Sequence, residues 1–267
     1  MDDILFVLVT CTREDSRQIA LNLCVESIVK NFSNEIIRNN FIVFDNNSSI
    51  AETHKLIDRH FKNVIKSKTN VGLWSGVAYV LENYQEIIGK KFNFVFPIES
   101  DNFLYDIERL NSCTEFLSKN QNVSMMRLKE LDVNNLARFD KSRSLNLRSE
   151  ITLKNLVTGE MSFFNKTEYD GIYETNLHPV LPALHRLNTL KDVLDLLRSR
   201  SNFDERDFWI TYQALCKDQN SSLLNMGLYY EVVYDHDILT SVNNEHLANK
   251  VGYHNSRQSN TIRVPSI

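Results

Sequence analysis

The sequence predicts an α/β protein built on a mostly parallel central sheet flanked by helices. Three observations lead there. Short apolar runs rich in β-formers recur through the first half, among them Ile4 to Thr10, Phe41 to Asp45 and Phe92 to Ile98. Segments with helical periodicity separate them, as in βαβ units. Two of the runs stop abruptly at polar or acidic clusters, Asp45-Asn46-Asn47-Ser48-Ser49 and Glu99-Ser100-Asp101-Asn102. Carboxylates at the carboxyl ends of buried strands in an open α/β sheet lie at the crevice where such sheets bind ligands.

The elements follow in order. Ile4 to Thr10 is continuously apolar, as expected of a strand buried on both faces. Ser16 to Phe32 places Ile19, Leu23, Ile28 and Phe32 at helical spacing, with Asp15 or Ser16 able to cap it. Asn40 to Asp45 is a second strand, Ala51 to Phe61 a short helix and Asn63 to Ser67 a short third strand. Asn70-Val71-Gly72 opens a helix that runs to about Tyr84. Phe92 to Ile98 is the fourth strand, Asp106 to Asn120 a helix and Val123 to Leu128 a fifth strand.

The second half has a different texture. Asn134 to Ser149 is polar and charged, and reads as a loop. Ile151 to Phe164 reads as a hairpin or a pair of short strands. After Pro179 and Pro182 a helical pattern runs through Leu190, Val193, Leu194 and Leu197 to Arg198. Asp204 to Leu215 is amphipathic, with Phe208, Trp209, Tyr212 and Leu215 on its apolar side, and Met226 to Tyr234 reads as a strand. The expected organisation is one domain over 1–240, in two parts, 1–130 and a smaller 131–240. A polar tail over 241–267 is a candidate lid.

Composition narrows the function classes. The 267 residues are 42% hydrophobic and 24% charged with a net charge of −4, which gives no bulk basic character for nucleic acid. Arg138, Lys141, Arg143 and Arg148 form the most basic stretch, best read as a solvated loop. Cys11, Cys24, Cys113 and Cys216 form no C-x-x-C pair and no zinc spacing. Cys11 and Cys24 read as small buried thiols of a reducing compartment. Met1-Asp2-Asp3 leads directly into a strand without a basic n-region, and no apolar run reaches the roughly 20 residues of a membrane span. A cytoplasmic protein with no integral membrane segment is the expectation.

Six constellations carry chemistry. Thr10-Cys11-Thr12-Arg13 ends the first strand, where hydroxyls and a guanidinium can contact a base or phosphate. Asp45 ends the second, where a carboxylate can accept from a ribose or a pyrimidine N–H; an Asx-turn is the alternative. Gly72 and Gly76 lie one helical turn apart, so the helix can approach the sheet or a ligand closely. No G-K-[ST] follows, and no G-x-G-x-x-G follows the first strand, which excludes the phosphate loop and the dinucleotide fingerprint. Glu99, Asp101 and Asn102 offer hard oxygens suited to a divalent cation holding a diphosphate. Asp204, Glu205 and Asp207 precede an aromatic pair at a helix start, as helix-dipole acids or as a general base. His236, flanked by Asp235 and Asp237, closes a late strand and could complete a metal shell begun by Asp101.

In this order, over roughly residues 4 to 237, the motifs resemble the GT-A class of nucleotide-sugar glycosyltransferases, nearest to the family 2-like inverting enzymes. The resemblance implies a GT-A (Rossmann-like) fold and transfer of a sugar from a nucleoside diphosphate sugar to an acceptor hydroxyl with inversion. UDP is implied as the nucleotide and Mn²⁺ or Mg²⁺ as the cofactor. Asp45 matches the strand-end Asp that contacts the base, Asn70-Val-Gly72 the N-x-G helix opening, and Glu99-Ser-Asp101 the D-x-D metal motif. Asp204-Glu205, followed by Asp207-Phe208, matches the E-D-like motif that carries the base, and His236 the late metal-ligating histidine. Thr10, Thr12, Arg13, Asp45, Asn70, Gly72 and Ser100 are then the expected donor contacts, Asp101, Glu99 and His236 the metal ligands. Glu205 is the expected base, with Asp204 and Asp207 as the other candidates. Two departures stand out: Asp45-Asn-Asn-Ser replaces the usual D-x-G-S, and Glu99 replaces the first Asp of D-x-D.

Two other readings stay open. A nucleotidyltransferase would use a similar sheet and metal, but usually carries a glycine-rich basic loop after the first strand, whereas Thr12-Arg13-Glu14-Asp15 has no glycine. A non-catalytic nucleotide- or sugar-binding module would bind without turnover. The acceptor (a glycan, a lipid-linked sugar, a protein or a modified nucleic acid base) is not written in the chain.

Overall fold

The computed structural model describes residues 1–102, 104, 107–127, 150–154, 161–169, 172–175, 183–200, 205–218, 226–229 and 263–267. Strand β1 (Ile4–Thr10) leads into helix α1 (Asp15–Asn31) and the short α2 (Asn34–Asn40). Then come β2 (Phe41–Asp45), α3 (Ala51–His60), β3 (Val64–Lys66), α4 (Leu73–Ile88) and β4 (Phe94–Glu99). After α5 (Arg109–Lys119) and β5 (Met125–Arg127) come β6 (Glu150–Lys154), β7 (Met161–Lys166) and β8 (Ile172–Thr175). Strand β9 (Ala183–Arg186) runs straight into α6 (Leu187–Arg198), followed by α7 (Glu205–Asp218) and β10 (Met226–Tyr229). Among the described residues, no helix is long and apolar enough to cross a membrane.

The strands form one ten-stranded sheet in the order β3-β2-β1-β4-β9-β5-β10-β8-β7-β6. Pairings of β1 with β2 and β4, of β2 with β3 and of β5 with β10 are parallel. Strand β9 is antiparallel to both β4 and β5, so β5 runs in the direction of β4 although it does not touch it. The chain moves outward from β1 to β2 and β3, then returns to place β4 on the other side of β1. That reversal makes a topological switch point, and the crevice it opens lies beyond the carboxyl ends of β1 and β4.

The α/β expectation is met, and burial explains why. Every residue of β1 and β2 is buried. Strand alternation divides the side chains between two cores. Ile4, Phe6, Leu8, Phe41, Val43, Phe94 and Phe96 pack under α1, α2, α3 and α5 through residues such as Leu21, Ile28, Ile37, Ile57 and Leu110. Leu5, Val7, Ile42, Phe44 and Val95 pack under α4, α6 and α7 through Val77, Leu81, Leu190, Leu194 and Tyr212. Phe6 stacks on Phe41 at 4.6 Å between ring centroids. Gly76 lets α4 close onto the sheet, because a Cβ there would stand 2.7 Å from Phe44 Cδ1.

Several expectations shift. The cap position of α1 is Glu14, which makes no side-chain bond to the helix, and Asp15 is already the first helical residue. Helix α2 was not expected, nor was β8, and the helical stretch after Pro182 opens with strand β9. The expected hairpin is the antiparallel pair β6 and β7. The strand expected through Tyr234 is described only as Met226–Tyr229. Cys24 is buried as expected, whereas Cys11 is only half-buried.

Two measurements follow from the packing. Gly76→Ala must push Phe44 or α4 aside, and should destabilise by about 1–3 kcal/mol as an overpacked core does. A lower urea midpoint at unchanged m-value is the expected result. His185, on β9, is 1% exposed, and burial lowers its pKa from 6.5 to about 3. The unfolded chain therefore binds a proton that the folded chain refuses, so stability is full above pH 6.5 and is lost as pH falls toward about 3. This group alone should remove about 2 kcal/mol by pH 5. Urea unfolding from pH 7.5 to 4.5 should show a shallower decline for His185→Leu than for the wild type.

Candidate functional site

The site is built from strand ends held in register. Thr10 is in register with Asp45, and Val9 with Glu99, so β2 and β4 end on either side of β1, β4 one residue lower. Thr10 is 1% exposed, and its hydroxyl has no hydrogen-bond partner among the described residues. Cys11 follows, half-buried; burial pushes its thiol pKa up, against the pull of the nearby Arg13 guanidinium. Asp45 and Arg17 also act on that thiol, so Cys11, Arg13, Arg17 and Asp45 share one neighbourhood. Arg13 itself is exposed.

Thr12 is held inward by its neighbours. It is fully buried; its N–H donates to Ser48 Oγ at 2.9 Å, and its hydroxyl bonds to that of Thr53, which donates to Gln18 Oε1. It ties the β1 loop to α1 and α3. Asp45, 1% exposed, accepts from Ser48 N–H through Oδ1 at 2.9 Å, the turn chemistry its neighbours suggest. Its Oδ2 lies 3.8 Å from His54 Nδ1, and His54 Nε2 is 3.2 Å from the Ser48 carbonyl.

Asn46 joins three loops. Its N–H donates to the Thr10 carbonyl at 2.7 Å, its Nδ2 donates to Asn70 Oδ1 at 2.8 Å, and its Oδ1 accepts from Val71 N–H at 2.7 Å. Asn70 Oδ1 also accepts from Gly72 N–H at 2.9 Å, and Asn70 Nδ2 reaches Cys11 Sγ at 3.3 Å. Gly72 has φ 87° as the residue before α4, a conformation that strains any residue with a Cβ. Asn47 takes φ 64°, which Asn tolerates better than most residues. Asn70 and Gly72 therefore shape the rim of the crevice.

The acidic turn closes on itself. Asn102 N–H donates to the Glu99 carbonyl at 3.0 Å, and Glu99 N–H donates to Asn102 Oδ1 at 3.1 Å. Ser100, Asp101 and Asn102 are buried, while Glu99 is half-buried. The Asp101 side chain is 4% exposed; its Oδ1 accepts from Asn102 Nδ2 at 3.3 Å and its Oδ2 from Arg17 Nη1 at 3.1 Å. A carboxylate that deep needs a compensating charge. Arg17 supplies it from the first turn of α1, where the helix dipole disfavours a cation.

Helix α7 starts near the same rim. Phe208 stacks on Trp74 of the first turn of α4, with centroids 4.6 Å apart and rings 19° from parallel. Glu205 is the first residue of α7. Asp207 pairs with Arg200 at 3.0 Å, a solvent-screened contact with the two side chains 39% and 41% exposed. The last five residues pack on the same corner: Arg263 N–H donates to Ser75 Oγ at 2.8 Å, and Lys68 Nζ reaches the Ile267 carbonyl at 2.8 Å. Asp204, His236 and the proposed tail from 241 to 262 lie outside the described residues.

The acidic turn offers the hard oxygens of Glu99 and Asp101, and a cation bound mainly by diphosphate needs only one or two protein carboxylates. The buried Thr10 hydroxyl without a partner is a further polar group at this edge. The residues thus fit Mn²⁺ or Mg²⁺ held jointly with a diphosphate. Among the described residues, no cluster of three or more His, Cys, Asp or Glu exists that could hold an ion without such help. Sequence reasoning missed Arg17, Asn46 as a latch, and His54. Arg17 alone carried a signal, as a cation in the first turn of a helix.

No family model matches the chain, and no curated protein matches it. Solved structures of several enzymes are similar in shape. Staphylococcus aureus TarS 1–349 in complex with UDP-GlcNAc shares 14% identity over 87% of this chain and 57% of its own, with a TM-score of 0.49. A cytidylyltransferase from Leptospira borgpetersenii shares 9% over 94% and 87%, with a TM-score of 0.47. A CMP:2-keto-3-deoxy-manno-octonic acid synthetase complexed with CTP shares 7% over 93% and 98%, with a TM-score of 0.48. The chain spans little more than half the length of that TarS structure (57%). At such identities and scores these likenesses assign this chain no activity.

Proposed function

We propose that the chain is a metal-dependent glycosyltransferase that takes a sugar from a nucleoside diphosphate sugar, UDP first among the candidates, and passes it to an acceptor hydroxyl. One observation carries the reading: Asp101, 4% exposed, sits just past the end of β4 at the switch point, opposite the loop that follows Thr10. A convergent polar group at the edge of a concave crevice is a candidate ligand contact, and the crevice beside this one is where an open α/β sheet takes its ligand.

In this reading Asp45 and the Asn46–Asn70 latch hold the base and ribose side of the donor. Thr10 and Arg13 face the phosphates, with the backbone around Ser100 completing the pocket floor. Glu99 and Asp101, with His236, would hold Mn²⁺ or Mg²⁺. When bound, the cation neutralises charge that builds on the departing diphosphate. Glu205, at the start of α7, removes the acceptor proton as the hydroxyl attacks the anomeric carbon from the face opposite the leaving group, so the product is inverted.

The experiment is thermal stabilisation against a panel of nucleoside diphosphates and their sugars, with and without Mn²⁺, followed by assay of sugar transfer. A Mn²⁺-dependent shift for one nucleotide, lost in Asp101→Asn, is the expected result. Glu205→Gln should lower the transfer rate by about 10²- to 10⁴-fold, the usual worth of a general base, while leaving donor binding intact. Pyrophosphate release from a nucleoside triphosphate and a sugar phosphate would instead make the chain a nucleotidyltransferase. Binding without turnover would make it a binding module.

A further inference from the structure

We propose that Arg17 is the resident counter-charge of the acidic turn, and that it competes with the divalent cation for Asp101. The proposal rests on the glycosyltransferase reading for its metal, but its argument is local. Asp101 Oδ2 accepts from Arg17 Nη1 at 3.1 Å, and the two side chains are 4% and 20% exposed. Oδ1 accepts from Asn102. Both oxygens of the carboxylate are thus engaged by donors of this chain.

Arg17 holds this pair from a position that disfavours a cation. It lies in the first turn of α1, where backbone N–H groups already present partial positive charge. Asp15 satisfies the dipole in the same turn, so Arg17 is not needed there. What its position provides is reach across to the end of β4, 84 residues away in sequence. A guanidinium is weakly hydrated and always charged, so it can neutralise a buried carboxylate in the apo state. For Asp101 to turn an oxygen to a metal, that contact must loosen.

The consequence is an ordered exchange. In the apo state Arg17 keeps Asp101 paired and the turn rigid. Binding of diphosphate with its cation takes over one oxygen of Asp101, and the displaced guanidinium lies beside the incoming phosphates, which it can accept as a new partner. Metal alone then binds weakly, and metal with diphosphate binds well. Arg17 acts through Asp101 and is a positioning residue.

The test is Mn²⁺ titration by electron paramagnetic resonance, with Mn²⁺ alone and with UDP present. It uses the wild type, Arg17→Met, Arg17→Lys and Asp101→Asn, each checked for fold by circular dichroism. Removing one neighbouring charge should tighten binding of Mn²⁺ alone by on the order of tenfold in Arg17→Met, the size of effect a single nearby charge has on a proton equilibrium. Arg17→Lys keeps the charge without the fork and should fall between Arg17→Met and wild type, which preserves the test if Arg17→Met does not fold. Asp101→Asn should lose Mn²⁺ in every case. If Arg17→Met and Arg17→Lys bind Mn²⁺ no more tightly than wild type, while Asp101→Asn still abolishes binding, the competition is refuted and the metal site stands. If no protein binds Mn²⁺ even with UDP, the competition and the metal reading both fall.

Discussion

Burial of β1 on both faces is the constraint on which the site depends. A strand with no exposed residue cannot slip by one position without exchanging its two cores, so its register with β2 and β4 is fixed by packing. Fixed register brings Thr10 and Asp45 level, with Glu99 one residue lower, opposite Val9. The crevice is therefore a by-product of the aromatic and aliphatic packing beneath it, and Phe6, Phe41 and Phe96 belong to its foundations as much as the polar residues do.

Above that foundation the loops are held by side-chain amides. Asn46 and Asn70 accept from the Val71 and Gly72 N–H groups just before α4, which would otherwise be left unpaired, and bond to each other. Asn102 does the same for the acidic turn. Amides suit this task because each carries donors and an acceptor without net charge. The rim is thereby ordered while its electrostatics stay under the control of a few charged groups, Arg13, Arg17, Asp45 and Asp101.

The strands that frame the site were legible because burial on both faces leaves a continuous apolar run, as in Ile4 to Thr10 and Phe41 to Asp45. Strand β9 was hidden for the opposite reason: Ala183-Leu184-His185-Arg186 is short, half polar, and passes into α6 without a break. Helix α2, seven residues with three asparagines, reads as a turn. Within the site, the placement of Asp45 and Asp101 followed from their position at strand ends. The partner of Asp101 did not, because a contact between residues 17 and 101 leaves no local pattern. The inward bond of Thr12 to Thr53 was equally hidden, because residues 41 apart in sequence share no local pattern.

The insertion of β9 between β4 and β5 has a consequence for how the molecule can be divided. The sheet neighbour of β4 on that side comes from residues 183–186, long after β1 to β5 have been laid down. A fragment cut after β5 would leave β4 as an open edge, with Phe94 and Val95 stripped of their backbone partners on the β9 side and β5 without the strand that bridges it to β4. Such an edge invites pairing with another copy. The two halves of the chain are thus interlaced at the level of main-chain hydrogen bonding, and a boundary drawn near residue 130 divides the sequence without dividing the sheet.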